Sequence, residues 1–346
     1  MAAYALLILP SSNRVYADSA VELTRAELLA FDRAVLGGKV HDSRTESVGG
    51  VPYVVFEVDG ELSERDLRVL GNLSAAYAIF ERQSDLLRPV ELLRLDRFDD
   101  DLITIQKYPG KTNEQFTKLL LNVTLLASGF ADEFLERRFR VFDPLCGRGT
   151  TLNQALMYGF DAAGVERDQK DYEAYSAFIQ TWLKRKRIKH RVESGPVRRE
   201  RQVVARRTRI ELAADKDDWK AGSSQLLDVV NVDTVRSDEF FKDDAFDLIV
   251  TDAPYGVQHG SRTAGKGRVR SPEELLEDAV PVWVRLLRPG GAVGIAWNTF
   301  VAKRETASAI LAECGLEVVE DEPYLDLKHR VDQAILRDVL VARKPK

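Results

Sequence analysis

The chain has 346 residues, of which 45% are hydrophobic and 30% charged, and its formal net charge is −5. This composition is typical of a soluble globular protein, and the length is sufficient for two domains. With only two cysteines the chain cannot form a disulfide framework, which indicates a reducing compartment such as the cytoplasm. No Cys or His cluster has the spacing of a metal site. The apolar run at 2–10 is too short to cross a membrane.

The first hundred residues alternate between strand and helix signals. Short apolar runs at 4–8 and 53–58 predict strands, and helical spacing of apolar residues at 23–35 and 63–80 predicts two helices. The stretch 86–101, acidic at its end, predicts a linker. We therefore expect a small N-terminal α/β domain over residues 1–100.

A second domain is predicted over residues 101–346. Thr112 is expected as a helix N-cap, with Gln115 completing a capping-box pattern. Strand signals follow at 140–142, 162–165, 227–232, 246–251, 292–297 and 317–320, and 332–342 is expected in a closing antiparallel hairpin. Strands that alternate with helices predict a mostly parallel sheet with helices on both faces.

A strongly basic segment, 184–225, interrupts this alternation. Residues 184–209 hold twelve Lys and Arg against two acids, whereas residues 1–100 hold eleven against seventeen acids. A basic segment on an acidic body is typical of a polyanion-binding site, and the alternative is a solvated, partly disordered loop. The candidate nucleic-acid contacts are Lys184, Arg185, Lys186, Arg187, Arg198, Arg199, Arg201, Arg206 and Arg207.

A glycine-containing loop follows the strand at 140–142 and has the sequence Asp-Pro-Leu-Cys-Gly-Arg-Gly-Thr at 143–150. Because Gly147 and Gly149 lack side chains, the loop backbone can approach a nucleoside-containing cofactor at the carboxyl end of the sheet. Glu166 ends the next strand, at a spacing that suits hydrogen bonds to ribose hydroxyls. Asp233 ends a further strand, where it can accept the amino group of adenine.

The sequence Asp-Ala-Pro-Tyr-Gly follows the buried strand at 246–251. The Asp252 carboxylate and the Ala253 carbonyl can accept the two N–H groups of an exocyclic base amine and direct its lone pair at an electrophile. After Pro254, the Tyr255 ring can stack on the base, a contact worth about 1–3 kcal/mol. The alternative is a plain turn after a strand.

The two motifs together resemble the Asp-Pro-x-Cys-Gly-x-Gly-Thr and Asp-Pro-Pro-Tyr signatures of class I amino-methyltransferases that act on nucleic acids. Within that group the chain is similar to the tRNA guanosine N2-methyltransferases, which carry an N-terminal RNA-binding module. The segment Tyr-Pro-Gly-Lys-Thr-Asn-Glu-Gln-Phe at 108–116 also resembles the family. One departure is Ala253, where family members usually have proline.

The resemblance implies a Rossmann-like fold with a seven-stranded sheet and S-adenosylmethionine as cofactor. The segment at 108–116 is then expected to enclose the methionine part of the cofactor, and Asp252 with Tyr255 to hold the base. The expected cofactor residues are Lys111, Thr112, Phe116, Asp143, Pro144, Cys146, Gly147, Gly149, Thr150, Glu166 and Asp233, and the expected catalytic residues are Asp252, Ala253, Pro254 and Tyr255.

The function predicted from these features is methylation of an exocyclic base amine, with guanine N2 in tRNA as the first choice. Adenine N6 in DNA is an alternative because the same motif can hold either amine. Two other classes stay open, namely a non-catalytic nucleic-acid-binding protein and a nicotinamide-dependent oxidoreductase, although Leu152 occupies the third glycine position of the dinucleotide fingerprint. His259 lies in a basic, Gly-containing loop that is interpreted either as a lid over the substrate or as a solvated loop. Asn298 is expected to cap a strand end, and the alternative is a position at the border of the site.

Overall fold

The computed structural model describes residues 1–11, 13–253 and 271–346 of the chain. Within these ranges it contains two β-sheets, one of five strands and one of ten. The predicted residues Pro254, Tyr255 and His259 lie outside the described residues.

The five-stranded sheet is antiparallel and lies in the N-terminal part of the chain, in the order β2-β3-β1-β4-β5. Its elements are β1 (Ala2–Ile8), α1 (Arg14–Phe31), β2 (Val40–Val48), β3 (Val51–Val58), α2 (Glu64–Leu70), β4 (Ala76–Gln83) and β5 (Leu86–Val90). The helix predicted at 63–80 is wrong in its second half, because the chain leaves α2 at Gly71 and residues 76–83 pair with β1. The start of the predicted linker is a strand as well, since β5 pairs with β4.

The ten-stranded sheet has the order β13-β15-β12-β11-β6-β7-β10-β9-β8, with β14 paired to β15. Its strands are β6 (Arg140–Asp143), β7 (Asp161–Glu166), β8 (Lys189–Arg199), β9 (Gln202–Ala213), β10 (Gln225–Asn231), β11 (Phe246–Asp252), β12 (Leu287–Asn298), β13 (Glu317–Val318), β14 (His329–Arg330) and β15 (Leu336–Arg343). The central strands β10, β7, β6, β11 and β12 are parallel, and β15 pairs antiparallel with β12 and β13. The seven strands from β13 to β10 match the predicted sheet, and β8, β9 and β14 are additions.

Helices cover both faces of this sheet, as predicted. The helices are α3 (Asp101–Thr104), α4 (Glu114–Ala127), α5 (Thr150–Met157), α6 (Gln169–Lys186), α7 (Lys216–Ala221), α8 (Pro272–Leu286) and α9 (Arg304–Glu313). Alternate residues of β11 enter different cores: Leu248 packs in the core that contains Phe116 of α4, and Ile249 in the core that contains Trp283 of α8. The expected Rossmann-like α/β fold is therefore confirmed.

The apolar core around α4 is continuous with that of the N-terminal sheet. Leu6 of β1 and Phe56 of β3 belong to the same buried cluster as Phe116 and Leu152. A domain boundary near residue 100 stays a prediction from the sequence. Among the described helices, none is both long and apolar enough to cross a membrane.

Residues 189–213 of the basic segment form an antiparallel hairpin, so the interpretation of this segment as a disordered loop is wrong. Strands β8 and β9 pair along almost their whole length, and β9 pairs in turn with β10. The turn between them consists of Glu200 and Arg201, both with positive φ (48° and 67°). Two-residue turns of this kind match the twist of a hairpin, and they usually contain Asn-Gly or Asp-Gly.

Candidate active site

The carboxyl ends of the central strands bring the two sequence motifs together. Strands β6 and β11 are parallel neighbours, so Asp143 and Asp252 end adjacent strands. Thr251 connects them, because its hydroxyl donates a hydrogen bond of 2.8 Å to Oδ1 of Asp143. The edge of the sheet where open α/β folds bind ligands therefore carries both predicted groups.

The glycine loop has a backbone that other residues adopt with difficulty. Gly147 and Gly149 have φ values of 49° and 79°. A Cβ at Gly149 would collide with the ring of Tyr175, whereas a Cβ at Gly147 would meet no described atom within 4 Å. Gly149 thus allows the loop to pack on α6, and Gly147 leaves open space above the loop, which fits a cofactor lying against the backbone.

The other side chains of the loop are held by the protein. Pro144 is buried after Asp143. Cys146 is buried against Gly164, and burial raises the pKa of its thiol, so we assign it no reactivity. Thr150 begins α5 and hydrogen-bonds to the hydroxyl of Tyr108 at 3.1 Å, which joins the loop to the segment at 108–116.

Asp143 is a buried carboxyl group with donors around it. Its Oδ1 accepts hydrogen bonds from the Leu145 backbone N–H at 3.1 Å and from Thr251. Burial nevertheless raises its pKa to about 6, because the charged form loses hydration that these donors replace only in part. A cationic or N–H-bearing ligand at this position would favour the charged form.

Glu166 occupies the end of β7, beside the glycine loop. Its two carboxylate oxygens accept hydrogen bonds from backbone N–H groups, Oε2 from Gly147 at 2.8 Å and Oε1 from Asp168 at 2.6 Å. Burial raises its pKa to about 7, and these hydrogen bonds oppose that rise. These hydrogen bonds fix the carboxylate at the end of β7, and its role in binding ribose stays a prediction from the sequence.

Asp252 is held by two residues from distant parts of the chain. The Thr112 hydroxyl donates to its Oδ2 at 2.6 Å, and Nη2 of Arg337 on β15 lies 3.3 Å from the same oxygen. Arg337 is only 4% exposed, and its guanidinium lies 4.2 Å from the centroid of the Phe116 ring. A buried arginine and a hydroxyl therefore fix the orientation of the carboxylate predicted to hold the base amine.

Three residues of the segment at 108–116 make contacts that the sequence did not predict. Thr112 is not the helix N-cap: Asn113 caps α4 by accepting the Phe116 N–H, which leaves the Thr112 hydroxyl for Asp252. Phe116 is fully buried behind Arg337, so it supports the site from within the core rather than at the cofactor surface. Lys111 is bound internally, by an ion pair with Glu114 and a hydrogen bond to the Ile103 carbonyl.

Ala253 and Asn298 lie at the ends of their strands, as predicted, and Asp233 lies two residues after the end of β10. The Asp233 side chain accepts a hydrogen bond of 3.3 Å from the Val235 N–H at the start of a short 3-10 helix, Thr234–Glu239. The Ala253 N–H donates to the Ala296 carbonyl at 2.8 Å, which continues the β11–β12 pairing without proline. Asn298 accepts backbone N–H groups and donates to the Ala334 carbonyl, so it caps a strand end.

The nine predicted nucleic-acid contacts do not form one surface. Lys184, Arg185, Lys186 and Arg187 lie at the end of α6, whose axis runs back from the carboxyl edge of the sheet to its amino edge. Three of the nine form ion pairs with acids: Lys186 with Asp99 and Asp101, Arg199 with Glu239, and Arg207 with Asp228.

Comparison with known proteins bears on the larger sheet. Residues 134–291 match the model of the family described as UPF0020: RMKL-like, methyltransferase domain. The match includes the glycine loop, Glu166 and Asp252. It confirms the predicted methyltransferase domain with S-adenosylmethionine as cofactor, and it favours this class over a nicotinamide-dependent oxidoreductase. None of the curated proteins that were searched matches the chain.

Solved structures with a similar arrangement include several methyltransferases. The N-methyltransferase NodS from Bradyrhizobium japonicum has 13% identity and a TM-score of 0.39, over 67% of this chain and 96% of that chain. The 1,6-didemethyltoxoflavin-N1-methyltransferase of Burkholderia thailandensis, which holds S-adenosylhomocysteine, has 14% identity and a TM-score of 0.35, over 64% and 77%. A candidate RNA methyltransferase of Pyrococcus horikoshii has 16% identity and a TM-score of 0.37, over 72% and 91%.

Proposed function

We propose that this chain transfers a methyl group from S-adenosylmethionine to an exocyclic amine of a nucleobase in RNA, with guanine N2 of tRNA as the target. The observation that carries the proposal is the Asp252 carboxylate. It ends the strand next to the glycine loop, within the segment that matches a methyltransferase family, and Thr112 and Arg337 fix its orientation. A carboxylate held in this way suits an N–H donor that must be presented in one orientation.

The cofactor supplies an electrophilic methyl group on a sulfonium. In the proposed reaction the nitrogen–carbon bond forms as the carbon–sulfur bond breaks, which leaves S-adenosylhomocysteine, and the methylated amine gives one proton to the Asp252 carboxylate, which passes it to solvent. The Asp252 carboxylate accepts an amine N–H and so localises the nitrogen lone pair, which is otherwise delocalised into the ring. Holding the amine and the methyl group in line supplies much of the acceleration, since well-oriented reactants gain about 7–11 kcal/mol over free ones.

The remaining residues hold the cofactor in this proposal. Glu166 accepts hydrogen bonds from the ribose hydroxyls, and Asp233 accepts one from the adenine amino group. Asp143 lies near the amino group of the methionine part. The loop at Gly147 and Gly149 contacts the cofactor through its backbone. The strand-end positions of the three carboxylates support this assignment, because each lies at the same edge of the sheet.

The experiment uses labelled S-adenosylmethionine with bulk tRNA, rRNA and DNA, followed by nucleoside analysis of the products. We expect label in N2-methylguanosine from tRNA. Asp252→Asn, which keeps the shape but removes the charge, should reduce incorporation at least 100-fold, because charge-assisted hydrogen bonds are worth about 1.5–3 kcal/mol and the orientation is lost as well. Asp217→Asn, at an exposed position on α7, is the matched control.

Two results would contradict the proposal. Label in N6-methyladenine of DNA, with RNA unlabelled, would favour the DNA alternative. Equal incorporation by wild type and Asp252→Asn would remove the role assigned to the carboxylate.

A further inference from the structure

Exposed lysine and arginine side chains of the basic segment form two groups at opposite edges of the sheet. Lys189 pairs in register with Ala213, next to Leu212, whose partner Gln225 begins β10 at the amino edge. Lys184 and Arg185, in the last turn of α6, belong to the same edge. We call these three exposed residues the base cluster.

The other group lies at the carboxyl edge. Arg206 pairs in register with Asn231, the last residue of β10. Strand β9 begins four residues earlier, at Gln202, so the hairpin extends about 13 Å beyond the end of β10, at about 3.3 Å per residue. Arg198 and Arg201 occupy this extension. We call Arg198, Arg201 and Arg206 the tip cluster.

The tip cluster is close to the cofactor residues. Asn231, the partner of Arg206 across the sheet, donates a hydrogen bond of 2.8 Å to the backbone carbonyl of Glu166. Thr208, two residues beyond Arg206 on the same face of β9, hydrogen-bonds to Tyr172 in the first turns of α6. The tip cluster therefore lies on the side of the sheet where Glu166 and Asp252 end their strands.

The charges of the tip cluster are available for a ligand. All three side chains are exposed, and none forms an ion pair within the described part of the chain. Protection of an edge strand by charge does not explain Arg206, because β9 is paired on both sides, to β8 and to β10. The neighbouring Arg199 is used differently, since it joins the hairpin to Glu239 at 2.7 Å.

We propose that the tip cluster, and not the base cluster, binds the phosphate backbone of the RNA substrate while the target base is held at Asp252. The inference rests on the proposed function and adds to it the surface that holds the RNA. Three exposed guanidinium groups in an otherwise acidic protein suit a polyanion by charge, and their position at and beyond the carboxyl edge suits a strand whose base enters the site.

The test compares two triple variants of the full chain, each of which removes three positive charges. Arg198→Gln/Arg201→Gln/Arg206→Gln removes the tip cluster, and Lys184→Gln/Arg185→Gln/Lys189→Gln removes the base cluster as the matched control. Affinity for bulk tRNA is measured between 50 and 300 mM salt. Melting temperature and S-adenosylmethionine affinity check folding, and the single variant Arg201→Gln at the turn serves if the triple variant does not fold.

The tip variant should bind tRNA on the order of 100-fold more weakly at 150 mM salt. The slope of log affinity against log salt should fall by about 2–3, since each lost phosphate contact removes about 0.7–0.9. The control should lose less than a third of that slope. Equal losses in the two variants, or an unchanged slope in the tip variant, would overturn the inference.

Methyl incorporation separates this inference from the proposed function. If the wild type methylates tRNA and the tip variant does so with an unchanged KM for tRNA, the tip cluster does not bind the substrate and the proposed function stands. If the wild type binds tRNA through the tip cluster but methylates no RNA, the tip cluster is an RNA-binding surface and the proposed function is wrong. Where both hold, the tip variant should show a raised KM for tRNA and a nearly unchanged kcat.

Discussion

The pH dependence of cofactor binding is a direct consequence of where Glu166 lies. Burial raises its pKa to about 7, so in the free protein the carboxyl is largely protonated at pH 6 and largely ionised at pH 8. In the proposed function Glu166 accepts hydrogen bonds from two ribose hydroxyls, and the ionised carboxylate is the better acceptor for two donors. Binding of S-adenosylmethionine should therefore lower the pKa of Glu166 and release a proton where the free carboxyl is protonated.

The magnitude follows from the fraction ionised. With a pKa of about 7, roughly one tenth of the carboxyl is charged at pH 6 and nine tenths at pH 8, so affinity should rise about tenfold over this range. Asp143, with a pKa of about 6, is half ionised at pH 6 and adds about a twofold change in the same direction. We expect a total increase of about 20-fold between pH 6 and pH 8.

Calorimetry at constant ionic strength, at pH 6, 7 and 8, measures both affinity and proton release. Glu166→Gln should bind more weakly at every pH, because an amide nitrogen cannot accept the backbone N–H that one carboxylate oxygen accepts now. Its remaining pH dependence should be about twofold, from Asp143 alone. Glu173→Gln, at an exposed position on α6, is the control and should keep the full dependence.

The reasoning would be refuted by a flat affinity profile in the wild type between pH 6 and pH 8. It would also fail if Glu166→Gln kept the 20-fold change, because the titrating group would then lie elsewhere.

Substitutions at three positions test the rest of the site. Gly149→Ala should lower the free energy of unfolding, measured with urea. The left-handed backbone alone costs roughly 1–2 kcal/mol for alanine, and the loss should be larger because the new Cβ also collides with Tyr175. A loss below about 1 kcal/mol would contradict this packing. Thr112→Val removes the hydroxyl on Asp252 and should lower kcat about 10-fold or more with unchanged cofactor affinity; unchanged kcat would show that the hydroxyl is not needed. Arg337→Gln should lower kcat similarly, and Arg337→Lys should restore part of it; no difference between the two would indicate a purely structural role.

The parallel sheet was predictable because its strands are short apolar runs that end in functional residues. The run at 246–251 is buried on both faces, as expected for a strand of a parallel sheet covered by helices, and it is shorter than a typical helix. Glu166 and Asp252 follow such runs immediately, so their positions at the carboxyl edge could be read from the sequence. The same reasoning placed Asp143.

The hairpin and strand β2 were less predictable for local reasons. The turn at Glu200 and Arg201 lacks the Asn-Gly or Asp-Gly signal that marks a two-residue hairpin. Pro196 also argues against a strand, and it is tolerated because β8 is an edge strand. Strand β2 (Val40–Val48) is mostly polar, with seven polar residues among its nine. It is a strand because it pairs with β3, and not because its side chains are buried.

The residues around Asp252 were unpredictable because their contacts are distant in sequence. Arg337 lies 85 residues after Asp252, and Thr112 lies 140 residues before it. Nothing next to Arg337 in the sequence distinguishes it from a surface arginine on a terminal strand. Only antiparallel pairing of β15 with β12 brings Arg337 level with Asn298, beside the end of β11.

The N-terminal part of the chain reaches this arginine through aromatic contacts. Tyr16 of α1 packs edge-on against the rings of Phe116 (6.5 Å between centroids) and His329 (5.8 Å), and Phe116 lies under Arg337. Burial lowers the pKa of His329 to about 4, so at neutral pH its ring adds no second positive charge beside Arg337. The N-terminal region has more acids than bases, and its charge therefore disfavours contact with a polyanion. It can still influence the reaction, because Tyr16 of α1 supports the Phe116 ring against which Arg337 packs.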